Sequence, residues 1–207
     1  MSDTNICWGI LGAGVIAHKM ADAINQAADN QLLAVASRTR AKAESFATEY
    51  DIAPESYETL LARDDIDVVY IATPDPYHRA PLTTALEMGI KRILLQKPFA
   101  TTVEDAEAMA SLIEEHGADV YVTFATRARS ESAAGKYITE SGLIGEPLFA
   151  AMRNVDNISV PREMWADRPD NWASQSSSVP FLYSHRIDRL RWFYQPAEVK
   201  TVSAVSR

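Results

Sequence analysis

The hydrophobic residues of this chain gather in short continuous runs, separated by longer stretches in which apolar positions return every three or four residues. The runs are Ile6–Leu11 and residues 32–36, 68–72, 93–95 and 120–124. Each is too short for a helix and lacks the polar alternation of a strand with one wet face. Each therefore predicts a strand covered on both faces. Between them, spacings such as Ala106, Met109, Leu112 and Ile113 predict helices. Strand and helix in alternation imply a parallel sheet with crossover helices, an α/β architecture.

This pattern covers about the first 125 residues, and past it the period changes. A helix is predicted at Ser130–Glu140, followed by a turn region at Gly142 and Gly145 and a strand over 147–155. Residues 156–178 are rich in Pro, Asp, Asn, Ser and Trp and have no period, which predicts a long loop of the functional or disordered kind. A helix over 180–194 carries Ile187, Leu190 and Tyr194 on one stripe, and 199–205 alternates as a strand. The change of period places a domain boundary near Thr126, giving domains of 1–125 and 126–207. There is no internal repeat.

Composition narrows the range of partners. The 207 residues carry 28 acidic and 20 basic side chains, a net charge of −8, with no basic run. Neutralising phosphates needs clustered Lys and Arg, so a nucleic-acid binder is excluded and a small-molecule substrate is expected. At about 150 residues per domain the length suits one large domain or one and a half, not two complete large ones. The polar start of the chain lacks the basic, then apolar, order of a signal peptide. No apolar stretch approaches the ~18 residues of a membrane span, so no membrane partner is expected and the cytoplasm is the default compartment. The single cysteine, Cys7, has no intrachain partner and reads as a small buried hydrophobe. No metal site is expected.

The first strand runs into Gly12, Ala13, Gly14, Val15, Ile16 and Ala17, a G-x-G-x-x-A pattern that opens a helix. Gly12 suits a tight turn, Gly14 lets a pyrophosphate approach the backbone, and Ala17 permits close packing of helix on strand. The helix N-terminus offers free N–H groups to the anion. After a first strand and before a long helix, this pattern marks a dinucleotide-binding Rossmann-type, doubly wound sheet. The end of the second strand faces the adenosine ribose, where an NAD enzyme usually places an acid. Here stand Ser37, Arg38, Thr39 and Arg40, with no acid among them. A guanidinium pairs with a 2′-phosphate and small hydroxyls add hydrogen bonds, which favours NADP over NAD. The alternative for Arg38 or Arg40 is a solvated residue opening the next helix.

Two further loops leave strand C-terminal ends, the ligand edge of an open parallel sheet. They are Thr73, Pro74, Asp75, Pro76, Tyr77, His78 and Gln96, Lys97, Pro98, Phe99, Ala100. Together with the glycine turn they resemble the Gfo/Idh/MocA family of glucose-fructose oxidoreductases and inositol dehydrogenases, which carry A-T-P-x-x-x-H and E-K-P loops at these places. Ser184, His185, Arg186, Ile187 and Asp188 resemble the family's helix bearing a catalytic histidine. The resemblance runs from about Asn5 to Val205, as the first part of a family protein.

That resemblance implies a Rossmann domain followed by an incomplete α+β antiparallel-sheet domain for substrate and oligomerisation, with homo-oligomer contacts through the antiparallel sheet. It implies a cofactor held by Gly12, Ala13, Gly14, Val15, Ile16, Ser37, Arg38, Thr39, Thr73, Pro74, His78, Gln96 and Lys97. Lys97 would hydrogen-bond the reacting hydroxyl and His185 would act as general acid or base, with Tyr183 and Asp188 near the substrate. The chemistry is coherent, since alcohol oxidation needs a group to take the hydroxyl proton as hydride leaves and histidine titrates near neutrality. Against these roles stand bland readings: His78 as a helix-start residue, His18 and His116 as helix-surface positions.

Several positions depart from the family pattern. Gln96 replaces a Glu, Phe181 stands where an acid precedes the histidine by four residues, and Gln175, Ser176 and Ser177 replace a glycine-rich stretch. Ala173 follows Trp172 where Arg is common, and only two strands of the second sheet are visible. Three readings follow. The leading one is an NADP-dependent oxidoreductase acting on a sugar, polyol or dihydrodiol-like hydroxyl or carbonyl. A truncated or degenerate, non-catalytic NADP-binding member is the second, and redox-neutral hydrolysis or elimination with a retained cofactor is the third.

Overall fold

The computed structural model describes residues 5–153, 155 and 179–205. They divide into two compact units, one ending at Thr123 and the other beginning at Phe124.

The first unit is built on six strands: β1 (Ile6–Leu11), β2 (Asn30–Ala36), β3 (Ala53–Glu55), β4 (Val68–Ile71), β5 (Arg92–Gln96) and β6 (Asp119–Thr123). They form one sheet in the order β3-β2-β1-β4-β5-β6, and every pairing is parallel. The crossovers carry α1 (Val15–Gln26), α2 (Arg40–Tyr50), α3 (Tyr57–Leu61), α4 (Arg79–Glu87) and α5 (Val103–His116). This is the doubly wound Rossmann order. Its strand order reverses between β1 and β4, which opens a crevice above their C-terminal ends.

Successive strand residues point to opposite faces, so a continuous apolar run feeds two cores at once. Leu11, Ala36, Val69, Ile71, Ile93 and Leu95 pack on one face against Leu60 of α3, Leu82 and Leu86 of α4 and Met109 of α5. Ile10, Leu32, Val35 and Tyr70 pack on the other against Ala17, Ala21 and Ile24 of α1 and Phe46 and Ala47 of α2. Each fully buried Leu, Ile or Phe contributes about 1.5–3 kcal/mol, and both layers are required for the strands to be dry. The short β3 escapes the hydrophobic pattern because it has only three residues, one of them Pro54, which an edge strand tolerates. Cys7 is half-buried rather than buried, since β1 enters the core only from Gly9 onward, and its N–H donates to Asp67 at 2.9 Å.

The second unit contains α6 (Ser130–Glu140) and α7 (Ser184–Phe193), with a π-helical turn at Val179–Tyr183 leading into α7. The helix expected over 180–194 is thus a wide turn followed by ten α-helical residues. Its anchors are polar as well as apolar. Arg127 grips Asp188 with two hydrogen bonds of 2.8 and 2.6 Å, Lys136 donates to the Trp192 carbonyl at 2.6 Å, and Arg189 donates to Ser132 at 3.2 Å.

The strands expected over 147–155 and 199–205 are not formed among the described residues. Leu148, Phe149, Val202 and Val205 are almost fully exposed there. Alternation makes a strand only where a neighbour accepts its ladder hydrogen bonds, and none of the described strands lies in this unit. The implied antiparallel sheet is therefore not seen in the described residues. The long loop expected over 156–178, with Trp172, Ala173, Gln175, Ser176 and Ser177, lies outside them.

Candidate functional site

The glycine turn sits at the top of β1. Gly12 has φ +113°, and a Cβ there would lie 2.7 Å from the Ala72 carbonyl oxygen and 3.0 Å from the Thr73 nitrogen. Both conformation and close approach demand glycine, and the turn is thereby pressed onto the loop after β4. Gly14 is different. Its φ is −101°, it is the N-cap of α1, and a Cβ would meet nothing within 4 Å. Neither backbone strain nor protein packing accounts for that glycine, whereas the approach of a pyrophosphate does. No side chain caps α1 and its first turn holds no acid, leaving its N–H groups and partial positive charge to an anion. The residues present thus fit a dinucleotide. Ala13 and Ile16 are half-buried beside Gly14, and Val15 is exposed.

At the end of β2, Ser37 is half-buried and Arg38 and Thr39 are exposed. Arg40 is committed to Glu44 at 2.8 Å, an ordinary pair one helical turn apart. Arg38 instead places its guanidinium carbon 4.7 Å over the centroid of the Tyr77 ring.

The loops after β4 and β5 are tied by one buried side chain. His78 is 1% exposed, with Nδ1 2.8 Å from the Pro98 carbonyl oxygen and Nε2 3.0 Å from that of Thr73. Its ring atoms are thus occupied by protein, and the side chain presents no polar atom to a ligand crevice. It also precedes α4 as the N-cap residue. Burial drives its pKa below the ordinary histidine value, opposed by the two carbonyls and by Asp75. Thr73 is buried and donates through Oγ1 to the Tyr77 carbonyl at 3.2 Å, and Pro74 leads the turn Asp75–Tyr77.

On β5, Gln96 accepts through Oε1 from the Tyr70 hydroxyl at 2.9 Å and from Thr123 at 2.6 Å. Burial pushes the Tyr70 phenol well above its usual pKa, so it remains a donor. A neutral amide in place of the family's carboxylate fits these two hydroxyls without adding a charge beside the buried Lys97. The glycine turn, the Thr73 loop, Gln96 and Lys97 all stand at the C-terminal edge of the first unit's sheet.

His185 and its neighbours belong to the second unit. Its Nδ1 lies 3.4 Å from Thr126 Oγ1, and its ring meets Phe124 edge-on at 5.9 Å. Asp188, expected near substrate, is the carboxylate held by Arg127, and that partnership raises the Arg127 pKa. Tyr183 is exposed in the π-helical turn, and Phe181 is buried at 4% exposure. Sequence reasoning missed Tyr77 under Arg38, the Tyr70 and Thr123 donors to Gln96, and the Arg127 partner of Asp188. Tyr77 carried a signal, being an aromatic within a loop at the ligand edge. Arg127 and Asp188 are 61 residues apart, a separation at which no local pattern links them.

Among the described residues, no helix is long and apolar enough to cross a membrane, and no cluster of three or more His, Cys, Asp or Glu is placed to hold a metal.

A parallel sheet in Rossmann order with a phosphate-accepting turn at its switch point defines an NAD(P)-binding fold. The profile of the oxidoreductase family with an NAD-binding Rossmann fold, GFO_IDH_MocA, matches residues 6–124, and the chain belongs to this family. It is 27% identical over 201 residues to 1,5-anhydro-D-fructose reductase of Ensifer adhaerens, covering 95% of this chain and 59% of that protein. It is 26% identical over 205 residues to trans-1,2-dihydrobenzene-1,2-diol dehydrogenase of Mus musculus, covering 97% and 59%. Over 130 residues it is 33% identical to D-xylose 1-dehydrogenase [NADP(+)] of Haloarcula marismortui, covering 63% and 35%. Among solved structures, scyllo-inositol dehydrogenase of Lactobacillus casei shares the fold at a TM-score of 0.74, with 21% identity over 93% of this chain and 56% of that one. A 3-ketoreductase of Actinomadura kijaniata, solved with NADP, gives a TM-score of 0.60 and 29% identity over 68% and 45%. The chain thus spans less than two thirds of the length of these relatives.

Proposed function

We propose that this chain carries the nucleotide-binding part of an NADP-dependent oxidoreductase acting on a hydroxyl or carbonyl of a sugar, polyol or dihydrodiol-like substrate. The observation that carries the cofactor choice is Arg38. It stands at the end of β2 with Ser37 and Thr39, where an acid would select NAD, and among the described residues it has a ring partner and no carboxylate. Gly12, Ala13, Gly14, Val15 and Ile16 serve the pyrophosphate, while Thr73, Pro74, Gln96 and Lys97 serve the nicotinamide side. His78 serves by holding the Thr73 and Pro98 backbones. The names of the relatives support the substrate class.

The bound nicotinamide supplies a hydride acceptor, or in its reduced form a donor. On this reading Lys97 donates a hydrogen bond to the reacting oxygen, and His185 takes the hydroxyl proton as hydride leaves the carbinol carbon, returning it in the reverse direction. Residues 1–125 act as the cofactor domain and 126–207 as part of a substrate and oligomerisation domain, in a cytoplasmic protein. A second reading, a non-catalytic NADP-binding member, is favoured by the buried Phe181 at the family's acid position and by the commitment of Asp188 to Arg127. Turnover of any sugar or polyol with NADP would eliminate it.

The test is titration of the chain with NADPH and NADH, followed by nicotinamide fluorescence. NADPH should bind more tightly, and Arg38→Asp should weaken NADPH at least about tenfold more than NADH, the scale of charge-assisted hydrogen bonds. Equal weakening of both would refute the 2′-phosphate role.

A further inference from the structure

Arg38 is exposed, yet its head is placed. The guanidinium lies over the Tyr77 ring, with 4.7 Å between its central carbon and the ring centroid, within the range where a cation is drawn to an aromatic face. The backbone that carries the ring is itself anchored. The Tyr77 N–H donates to the Pro74 carbonyl at 2.8 Å, the Tyr77 carbonyl accepts from Thr73 at 3.2 Å, and Pro74 and Pro76 fix φ on the approach. The next residue, His78, is buried with one ring nitrogen against the Pro98 carbonyl and the other against that of Thr73. A second aromatic feels the same cation: Tyr57 is raised in pKa by burial, and the charge of Arg38 pulls it back.

A contact with an aromatic ring places a guanidinium without supplying an oxygen acceptor to its N–H donors. Among the described residues no carboxylate takes those donors, in contrast to Arg40, whose Nε is given to Glu44. An ordered, unneutralised fork at the ribose end of β2 is what bidentate recognition of a phosphate requires. We propose that Tyr77 is a specificity-determining positioning residue, which holds the Arg38 guanidinium beneath the 2′-phosphate of NADP and so widens the preference for NADP over NAD. This deepens the NADP reading above and rests on it.

The test measures dissociation constants for NADPH and NADH in the wild-type chain, Tyr77→Leu, Tyr77→Phe, Arg38→Leu and the Tyr77→Leu, Arg38→Leu double variant. Tyr77→Leu should weaken NADPH about two- to fivefold, the scale of an exposed cation–π contact, and leave NADH unchanged, which also shows that the fold is intact. Tyr77→Phe keeps the ring and should keep wild-type selectivity. In the double variant the loss of the ring should add nothing to the loss of the guanidinium, because the two act as a unit. Equal weakening of both cofactors by Tyr77→Leu, or no change in either, would overturn the positioning role while leaving that of Arg38 in place. If Arg38→Leu leaves the ratio of the two constants unchanged, the NADP reading itself fails, and the role of Tyr77 fails with it.

Discussion

In the first unit β1, β2, β4 and β5 each have a strand on both sides and helices over both faces, whereas the described residues of the second unit hold α6 and α7, joined by polar anchors, and exposed apolar segments. The difference separates two ways of fixing a site. The first unit positions Gly12, Gly14, Thr73, Gln96 and Lys97 by ending regular strands, so each residue's place follows from sheet geometry. The second positions His185 through individual contacts, with Thr126, with Phe124 and, along the same helix, through the Arg127–Asp188 pair. The departure that puts an apolar side chain where the family pattern has an acid, at Phe181, falls in the second unit. In the first, the Gln96 replacement is absorbed by two hydroxyl donors.

The contrast breaks most sharply at the two glycines of the turn. Gly14→Val places a branched side chain in the open space before α1, and NADPH affinity should fall by two to three orders of magnitude, about 3–4 kcal/mol. The melting temperature should barely move, since Gly14 has negative φ and no protein neighbour within 4 Å. Unchanged affinity would remove the phosphate assignment. Gly12→Ala should do the reverse in kind, lowering stability by about 2 kcal/mol, because its Cβ meets the Ala72 backbone at positive φ. A Gly12→Ala chain as stable as wild type would mean that the turn relaxes at little cost.

The second unit should respond more weakly. Asp188→Ala removes a two-point ion pair whose Arg127 is 41% exposed, so solvent already screens much of the attraction. Arg127 also keeps its stack on Trp192 at 5.3 Å and is not left as an orphaned buried charge. A loss of about 1 kcal/mol is expected, seen as faster hydrogen exchange in α6 and α7 with NADPH affinity unaltered. Exchange unchanged in both helices would show that apolar contacts alone fix α7.

How much of this was legible in the sequence follows the same division. The strand runs, the glycine turn and Ser130–Glu140 were readable because period and turn chemistry are local properties. β3 was not, being three residues with Pro54 at its centre. The segments at 147–155 and 199–205 carried a strand pattern that the described structure does not realise, because pairing depends on a partner that a local pattern cannot supply. At the site, Gly12 and Arg38 were legible from position along β1 and β2. The double tether of His78 was not, since its partners are carbonyls, which every residue has.

That tether gives the smallest and most specific effect. His78 is buried, and burial holds its pKa below that of an exposed ring, about 6.5, while the Thr73 and Pro98 carbonyls and Asp75 act in the opposite direction. Both ring nitrogens face acceptors, so a neutral ring with one N–H serves only one of them, and the second bond is gained on protonation. Because burial dominates, the unfolded chain takes up a proton at higher pH than the folded chain does. Stability is therefore full above about 6.5 and declines as pH falls through the window down to the folded value, below which it levels off. His78→Gln deletes the titration but keeps an amide that can donate to a carbonyl. Its melting temperature, subtracted from that of the wild type across pH 4 to 8, should expose this decline as a difference confined to the acid side. A flat difference would mean that the two carbonyls and Asp75 offset burial completely, and that the link between the two loops is indifferent to protonation.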